Sequence, residues 1–173
     1  MNAEQAPYPA WIYRQSAVLP YRWDGEDLEV LLVTSRGGKR WVLPKGIVEP
    51  GLTARASAVK EAIEEAGIEG DSAEKALGAY RYKKWGGTCN VEVYPFRVRH
   101  EMADWPESGF RRRRWLPLSK ALERVEHKRL RKIIARLPDV VSSADEIKRT
   151  GQRRPRVSKS PRLIYLRAPR RDY

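Results

Sequence analysis

Hydrophobic positions in this chain fall into short runs separated by turn residues, a pattern that predicts β-strands. Residues 28–35 form an aliphatic run typical of a central strand in a sheet. Gly37 and Gly38 mark one turn, and Gly86 and Gly87 mark the turn of a predicted hairpin. The predicted strands are residues 12–21, 28–35, 41–43, 77–85, 91–99 and 112–116.

One segment between the strands has helical periodicity. Taking Val59 as the reference on a helical wheel, an apolar stripe lies within roughly 60° of it. This stripe comprises Ala62, Ile63 and Ala66. Thr53 suits the N-cap and Gly67 suits a left-handed stop, so we expect a helix over residues 53–66.

A second helix is predicted over residues 118–137. Its inward positions are Leu122, Val125, Leu130, Ile133, Ile134 and Leu137. Strands interrupted by one helix and followed by another predict an α/β fold in which a mixed sheet lies between helices, an α/β/α sandwich.

Charge divides the chain into two parts. The 173 residues have a net charge of +13, and residues 142–173 contain ten Lys or Arg and three Asp or Glu, a balance of +7. We expect residues 1–141 to form one domain and residues 142–173 to be a basic, Pro/Ser/Arg-rich extension, in which residues 163–166 could form a short strand. The extension could attract nucleic acid, clamp a polyanion or contact a partner, or serve only solubility.

Other features of composition exclude some classes of site. The single cysteine, Cys89, excludes an internal disulfide and favours a reducing cytoplasm. One cysteine and two histidines also make a Cys/His metal site improbable. No apolar run is long enough to span a bilayer, so we expect a cytoplasmic protein without membrane contact.

The chemistry that the sequence indicates lies on the outer side of the first helix. Glu61, Glu64 and Glu65 fall opposite the apolar stripe, where like charges at i,i+3 and i,i+4 repel each other. A hard divalent cation removes this repulsion, and Mg²⁺ prefers a few carboxylates together with waters and phosphates. Alternatively, such glutamates form an ordinary solvated helix face.

The segment around these glutamates resembles the Nudix box, G-x5-E-x7-R-E-U-x-E-E-x-G-U, in which U is aliphatic. The matching residues are Gly46, Glu61, Glu64, Glu65, Gly67 and Ile68, with Ala62 at the first U position. Leu52 and Lys60 depart from the box, because they replace a glutamate and an arginine that usually form an ion pair in the family. We expect Leu52 to anchor the loop by apolar packing instead.

The resemblance implies the Nudix sandwich fold and metal-assisted attack of water on a phosphoanhydride. Mg²⁺ is the expected cofactor, with Mn²⁺ as a substitute. By resemblance, Glu64, Glu65 and the Lys45 backbone carbonyl bind the metal. Glu61 then orients or deprotonates the water, or bridges a further metal, and Glu107 is our candidate for an additional catalytic glutamate from a loop.

Outside the box, the similarity points to diphosphoinositol polyphosphate phosphohydrolases and related dinucleoside polyphosphate hydrolases. The fragments concerned are residues 41–46, 104–107, 111–115 and 127–128. We therefore expect a phosphorylated small-molecule substrate, held by cations in a shared pocket. The predicted substrate-binding residues are Arg36, Lys39, Arg40, Lys45, Gly46, Arg81, Lys83, Arg113 and Lys128, together with Lys84.

The exact substrate stays open at this point. Tyr82, Trp85 and Tyr94 could provide a platform for a base, or could belong to the core. Two other functions remain possible: an RNA-processing pyrophosphohydrolase that uses the basic extension, and a non-catalytic module that senses a nucleotide or polyanion, suggested by Leu52 and Lys60.

Overall fold

A computed structural model describes residues 7–141, in which an eight-stranded sheet separates one long helix from three short ones. A 3₁₀ turn at Ala10–Tyr13 precedes the sheet. The strands are β1 (Arg14–Asp24), β2 (Asp27–Thr34), β3 (Trp41–Val42), β4 (Lys45–Ile47), β5 (Ile68–Ser72), β6 (Gly78–Lys84), β7 (Gly87–Glu101) and β8 (Arg113–Pro117). The helices are α1 (Ala54–Ala66), α2 (Leu118–Arg124), α3 (Lys128–Ala135) and α4 (Leu137–Val140).

The sheet is mixed, as the sequence predicts. Its main order is β3-β2-β1-β7-β5, with β1 and β7 parallel and their other neighbours antiparallel. Three short strands extend it, because β4 pairs with β1, β6 with β7 and β8 with β2. No helix among residues 7–141 is long and apolar enough to cross a bilayer.

Each face of the sheet has its own core. The alanines of α1 pack closely against Val18 and Phe96 on one face. On the other face, Leu130 and Ile134 of α3 pack against residues of the central strands such as Leu19. The expected α/β/α sandwich is therefore confirmed.

The ends of α1 follow the predicted capping signals. The Thr53 hydroxyl accepts a hydrogen bond from the Ala56 N–H at 3.1 Å, and Gly67 closes the helix in the left-handed conformation with φ of 59°. The buried face, however, lies roughly 60° from the predicted stripe, toward Ala58. Ile63 is consequently only half-buried, whereas Glu65, expected on the outer side, is 7% exposed.

Other elements differ from the sequence prediction. The helix expected over residues 118–137 is three helices, because Val125 is extended and His127 caps α3 by accepting a hydrogen bond from the Leu130 N–H. Strands β4 and β5 were not predicted, since the first has three residues and the second is mostly polar. The expected extension at 142–173, with its strand at 163–166, lies outside the described residues.

Candidate metal and phosphate site

The segment of Lys45 and Gly46, which precedes α1, lies against the glutamates of that helix. The Lys45 backbone N–H donates to Glu65 Oε2 at 3.0 Å, which joins β4 to the helix. Next to it, a Cβ built on Gly46 would lie 1.7 Å from Glu61 Oε1. Only glycine leaves this space to the Glu61 carboxylate, so Gly46 shapes the site. Its predicted contact with substrate stays a prediction.

Burial and mutual repulsion perturb the carboxylates. Burial, followed by the charges of Glu65 and Glu64, raises the pKa of Glu61 to about 7. Burial also raises the pKa of Glu65, although the Lys45 N–H and Arg111 oppose this shift. The site therefore concentrates negative charge where water is partly excluded, which favours a bound cation.

Lys60 replaces the box ion pair with a different one. Its ammonium pairs with Glu49 in the loop before α1 and with Glu64 at 3.1 Å, and these contacts raise its pKa. Leu52 is 41% exposed, so the expectation that it anchors the loop by apolar packing is wrong. The loop acid three positions earlier supplies the pairing instead, and no feature of the box pattern pointed to it.

Arg111 forms a second and more buried connection. Its guanidinium pairs with Glu65 through Nη2 and with Glu107 through Nε, and Nη1 donates to the Thr34 carbonyl oxygen at 2.8 Å. Arg111 was not among the site residues predicted from the sequence. Its i,i+4 spacing from Glu107 was the available signal.

The loop that contains Glu107 is docked against the C-terminal half of α1. The Glu107 backbone N–H donates to the Glu64 carbonyl oxygen at 3.1 Å, and Trp105 Nε1 donates to the Glu65 carbonyl oxygen at 3.2 Å. The structure thus places Glu107 beside the three helix glutamates, where the sequence analysis proposed an additional acid. Its catalytic role stays a prediction.

The side chain of Lys45 contacts polar residues of two neighbouring strands, while Glu65 and Glu61 remain close enough to interact with its charge. Its Nζ donates to Tyr82 Oη at 3.0 Å and to Gln15 Oε1 at 3.3 Å. Burial, together with the neighbouring charge of Lys84, lowers the pKa of Lys45. Tyr82 therefore has a polar partner within the sheet, and Lys45 links these polar residues to the carboxylates through its own backbone.

The other cations that were predicted to bind substrate lie in separate parts of the fold. Arg36, Lys39 and Arg40 are exposed in the turn between β2 and β3, and the Arg36 guanidinium lies 5.6 Å from the ring centre of Phe110. Lys128 is exposed in the first turn of α3.

Strand alternation separates the cations of β6. Because successive side chains point to opposite faces, Lys84 shares the face of Tyr82, whereas Arg81 and Lys83 lie on the other face. The structure therefore favours Lys84 over these two as a neighbour of Lys45.

Arg113 makes structural contacts at the C-terminus of α1, and its predicted contact with substrate stays a prediction. Its Nη1 donates to the carbonyl oxygens of Ala66 at 2.8 Å and Gly67 at 3.0 Å, and its Nη2 donates to that of Met102 at 2.7 Å. A cation at these positions stabilises the C-terminus of α1.

The donor chemistry of the carboxylates fits a hard divalent ion. Glu61, Glu64, Glu65 and Glu107 offer only oxygen ligands, and two cations, Lys60 and Arg111, contact this group directly. Within residues 7–141 no three acidic, histidine or cysteine side chains converge on one point, and Glu64 and Glu65 pair with two different cations, Lys60 and Arg111. The predicted Lys45 carbonyl ligand stays a prediction.

Known proteins are similar to this chain in sequence and in fold. Nudix hydrolase 21, chloroplastic, of Arabidopsis thaliana is 36% identical over 129 residues, which cover 70% of this chain and 65% of that protein. Diphosphoinositol polyphosphate phosphohydrolase 3-alpha of Homo sapiens is 30% identical over 117 residues, 66% of this chain and 70% of that protein. The matches span 51–65% of the length of five plant relatives.

The fold is also that of solved structures. The C. elegans Ap4A hydrolase superposes with a TM-score of 0.63 at 20% identity and covers 75% of this chain and 98% of that one. The NUDIX domain family model matches residues 13–137, which contain every strand, α1, α2 and α3. The chain therefore belongs to the NUDIX domain family.

Proposed function

We propose that this chain is a Mg²⁺-dependent hydrolase that cleaves a phosphoanhydride bond in a highly phosphorylated small molecule. The observation that supports this most strongly is that Glu61, Glu64 and Glu65 lie on one helix, with the Glu107 loop bound to it, and that the backbone N–H of Lys45, a partly buried cation, binds Glu65. Carboxylates suit the metal, and the cation suits the phosphates that the metal would also contact.

Each residue of the site has a distinct role in this proposal. Glu64 and Glu65 hold the metal, and the Lys45 N–H keeps the Glu65 carboxylate turned toward the loop. When bound, Mg²⁺ neutralises charge on phosphate oxygens and acidifies a bound water. Glu61 orients the attacking water and accepts its proton, because its carboxylate lies beside those of Glu64 and Glu65.

The proposal includes two substrate classes. The human relative is named for a diphosphoinositol polyphosphate, and the C. elegans structure is that of an Ap4A hydrolase. Lys45 and Lys84 offer charge to a phosphate of either substrate, and the exposed Arg36, Lys39 and Arg40 offer more to an extended polyphosphate. We include both diphosphoinositol polyphosphates and dinucleoside polyphosphates in the proposal.

The test is a hydrolysis assay with Mg²⁺ or Mn²⁺ on a panel of substrates. The panel contains diadenosine polyphosphates, a diphosphoinositol polyphosphate and triphosphorylated or capped RNA, and Glu65→Gln is the matched control. We expect turnover of one of the first two classes, abolished in the Glu65→Gln variant. Preference for RNA would instead favour an RNA-processing enzyme, and binding of any member without turnover would favour a sensor module.

A further inference from the structure

All three nitrogens of the Arg111 guanidinium contact groups of the protein. Three different nitrogens contact three different groups: Glu65 on α1, Glu107 on the following loop and the Thr34 carbonyl oxygen at the end of β2. The side chain is 8% exposed, and the Glu65 side chain is 10% exposed. A planar fork can satisfy three acceptors in fixed directions, whereas the ammonium of a lysine cannot reproduce this geometry.

The contacts of Arg111 hold Glu65 in place and leave its carboxylate oxygens able to bind a further ligand. Glu65 Oε1 accepts from Arg111 and Oε2 accepts from the Lys45 N–H at 3.0 Å. Each carboxylate oxygen has two lone-pair directions, so one direction on each oxygen is left for another ligand. Glu65 is therefore held in one orientation by the sheet on one side and by Arg111 on the other.

The Arg111 guanidinium also positions Glu107, the acid in the loop before β8. Glu107 reaches the helix glutamates because Arg111 binds its carboxylate, while the Glu107 N–H donates to the Glu64 carbonyl oxygen at 3.1 Å. Arg111 also prevents Glu65 and Glu107, two partly buried carboxylates, from facing each other without an intervening positive charge.

We propose that Arg111 is a positioning residue for the metal site, which orients the ligand Glu65 and brings Glu107 next to it. This inference rests on the proposed function, because it assumes that Glu65 binds a divalent cation. Hydrogen-bond partners behind metal ligands typically change metal affinity by about 10- to 100-fold when they are removed. A purely structural arginine would affect stability equally with and without metal.

The test is calorimetric titration of Mn²⁺ into the full chain and into the Arg111→Lys variant. Arg114→Lys is the matched control, because Arg114 belongs to the same arginine run and is exposed on β8. We expect the affinity for Mn²⁺ to fall about 10- to 100-fold in Arg111→Lys and to stay unchanged in Arg114→Lys. The rise in melting temperature that Mn²⁺ causes should shrink in the same variant.

A second pair of variants keeps the proposal testable if Arg111→Lys does not fold. Glu107→Gln is compared with the double variant Glu107→Gln/Arg111→Gln, which has the net charge of the unmodified chain. The two variants differ only in the Arg111 guanidinium, and loss of its positive charge would by itself raise the affinity for a cation, so weaker binding reports lost positioning. We expect the double variant to bind Mn²⁺ at least about tenfold more weakly than Glu107→Gln alone. Equal binding by the two, or unchanged binding by folded Arg111→Lys, overturns the role of Arg111. Absence of Mn²⁺ binding by the unmodified chain overturns the proposed function itself.

Discussion

Two cations hold the carboxylates of α1 from opposite sides, and each connects the helix to a different loop. Lys60 bridges Glu64 to Glu49 in the loop before the helix. Arg111 bridges Glu65 to Glu107 in the loop after it. The arrangements are alike, but the Lys60 side chain is 43% exposed and the Arg111 side chain is 8% exposed.

This difference in burial means that the exposed Lys60 ion pairs can be replaced by others, whereas the buried Arg111 ion pairs cannot. An exposed ion pair is screened by water and contributes little, so another acid of the same loop can take over the role. That accounts for a box in which Leu52 and Lys60 depart from the usual pair while Glu49 restores the contact. A buried pair cannot be exchanged so easily, because losing one partner leaves the other charge unpaired in the interior.

The largest expected effect is a difference in unfolding free energy between variants of the two cations, Arg111 and Lys60. Arg111→Gln should lower the free energy of unfolding by about 3–5 kcal/mol, because it leaves Glu65 and Glu107 without their buried partner. Lys60→Gln should lower it far less, because its ion pairs are exposed and screened by water. Urea unfolding in the presence of a chelator measures both. Equal losses would contradict the importance of burial.

The next effect concerns the space at Gly46. In Gly46→Ala the new Cβ would meet the Glu61 carboxylate, which must then turn away from its position. Because the obstacle is the end of a flexible side chain, we expect little change in unfolding free energy but a turnover lower by on the order of 100-fold, the cost of a misplaced catalytic group. Steady-state kinetics beside urea unfolding would test this, and Gly37→Ala, in open space, is the control.

A smaller effect is the pH dependence of stability without metal. The folded state raises the pKa of Glu61 from 4.5 to about 7, so it binds this proton more tightly than the unfolded chain does. The resulting stabilisation is complete below pH 4.5 and is lost as the pH rises through about 7. Unfolding in chelator between pH 4 and 8 should show this decline, and Glu61→Gln should make it shallower. An unchanged slope would contradict the shift.

The smallest effects lie in the loop before α1. Glu49→Gln should cost less than about 1 kcal/mol of unfolding free energy, and the cost should shrink further in high salt. Leu52→Ala should be close to neutral, because Leu52 is 41% exposed. A loss from Leu52→Ala larger than that from Glu49→Gln would restore the apolar-anchor interpretation that the structure contradicts.

Local signals in the sequence predicted most of α1. Its ends depend on Thr53 and Gly67, whose capping preferences act over a few residues, and its three glutamates are recognisable by spacing alone. The break between α2 and α3 was not predictable in this way, because apolar periodicity continues across Val125 and histidine is an unusual N-cap.

What the sequence could not predict depends on distant partners. Glu65 is buried because Arg111, 46 positions away, neutralises it and allows α1 to turn that side toward the sheet. Likewise, the face on which each cation of β6 lies follows from the register of β6 with β7, not from the charges themselves. The contact of Arg113 with the end of α1 was unpredictable for the same reason, since only the fold brings the two together.

Binding of a divalent cation by the carboxylates of α1 underlies every role proposed for this site. The most direct test is a crystal of the protein soaked with Mn²⁺, in which anomalous scattering locates the ion. We predict a peak within ligand distance of Glu64 and Glu65 and beside Glu61, with Arg111 still in contact with Glu65. A peak elsewhere, or none at this helix at saturating Mn²⁺, would contradict the account.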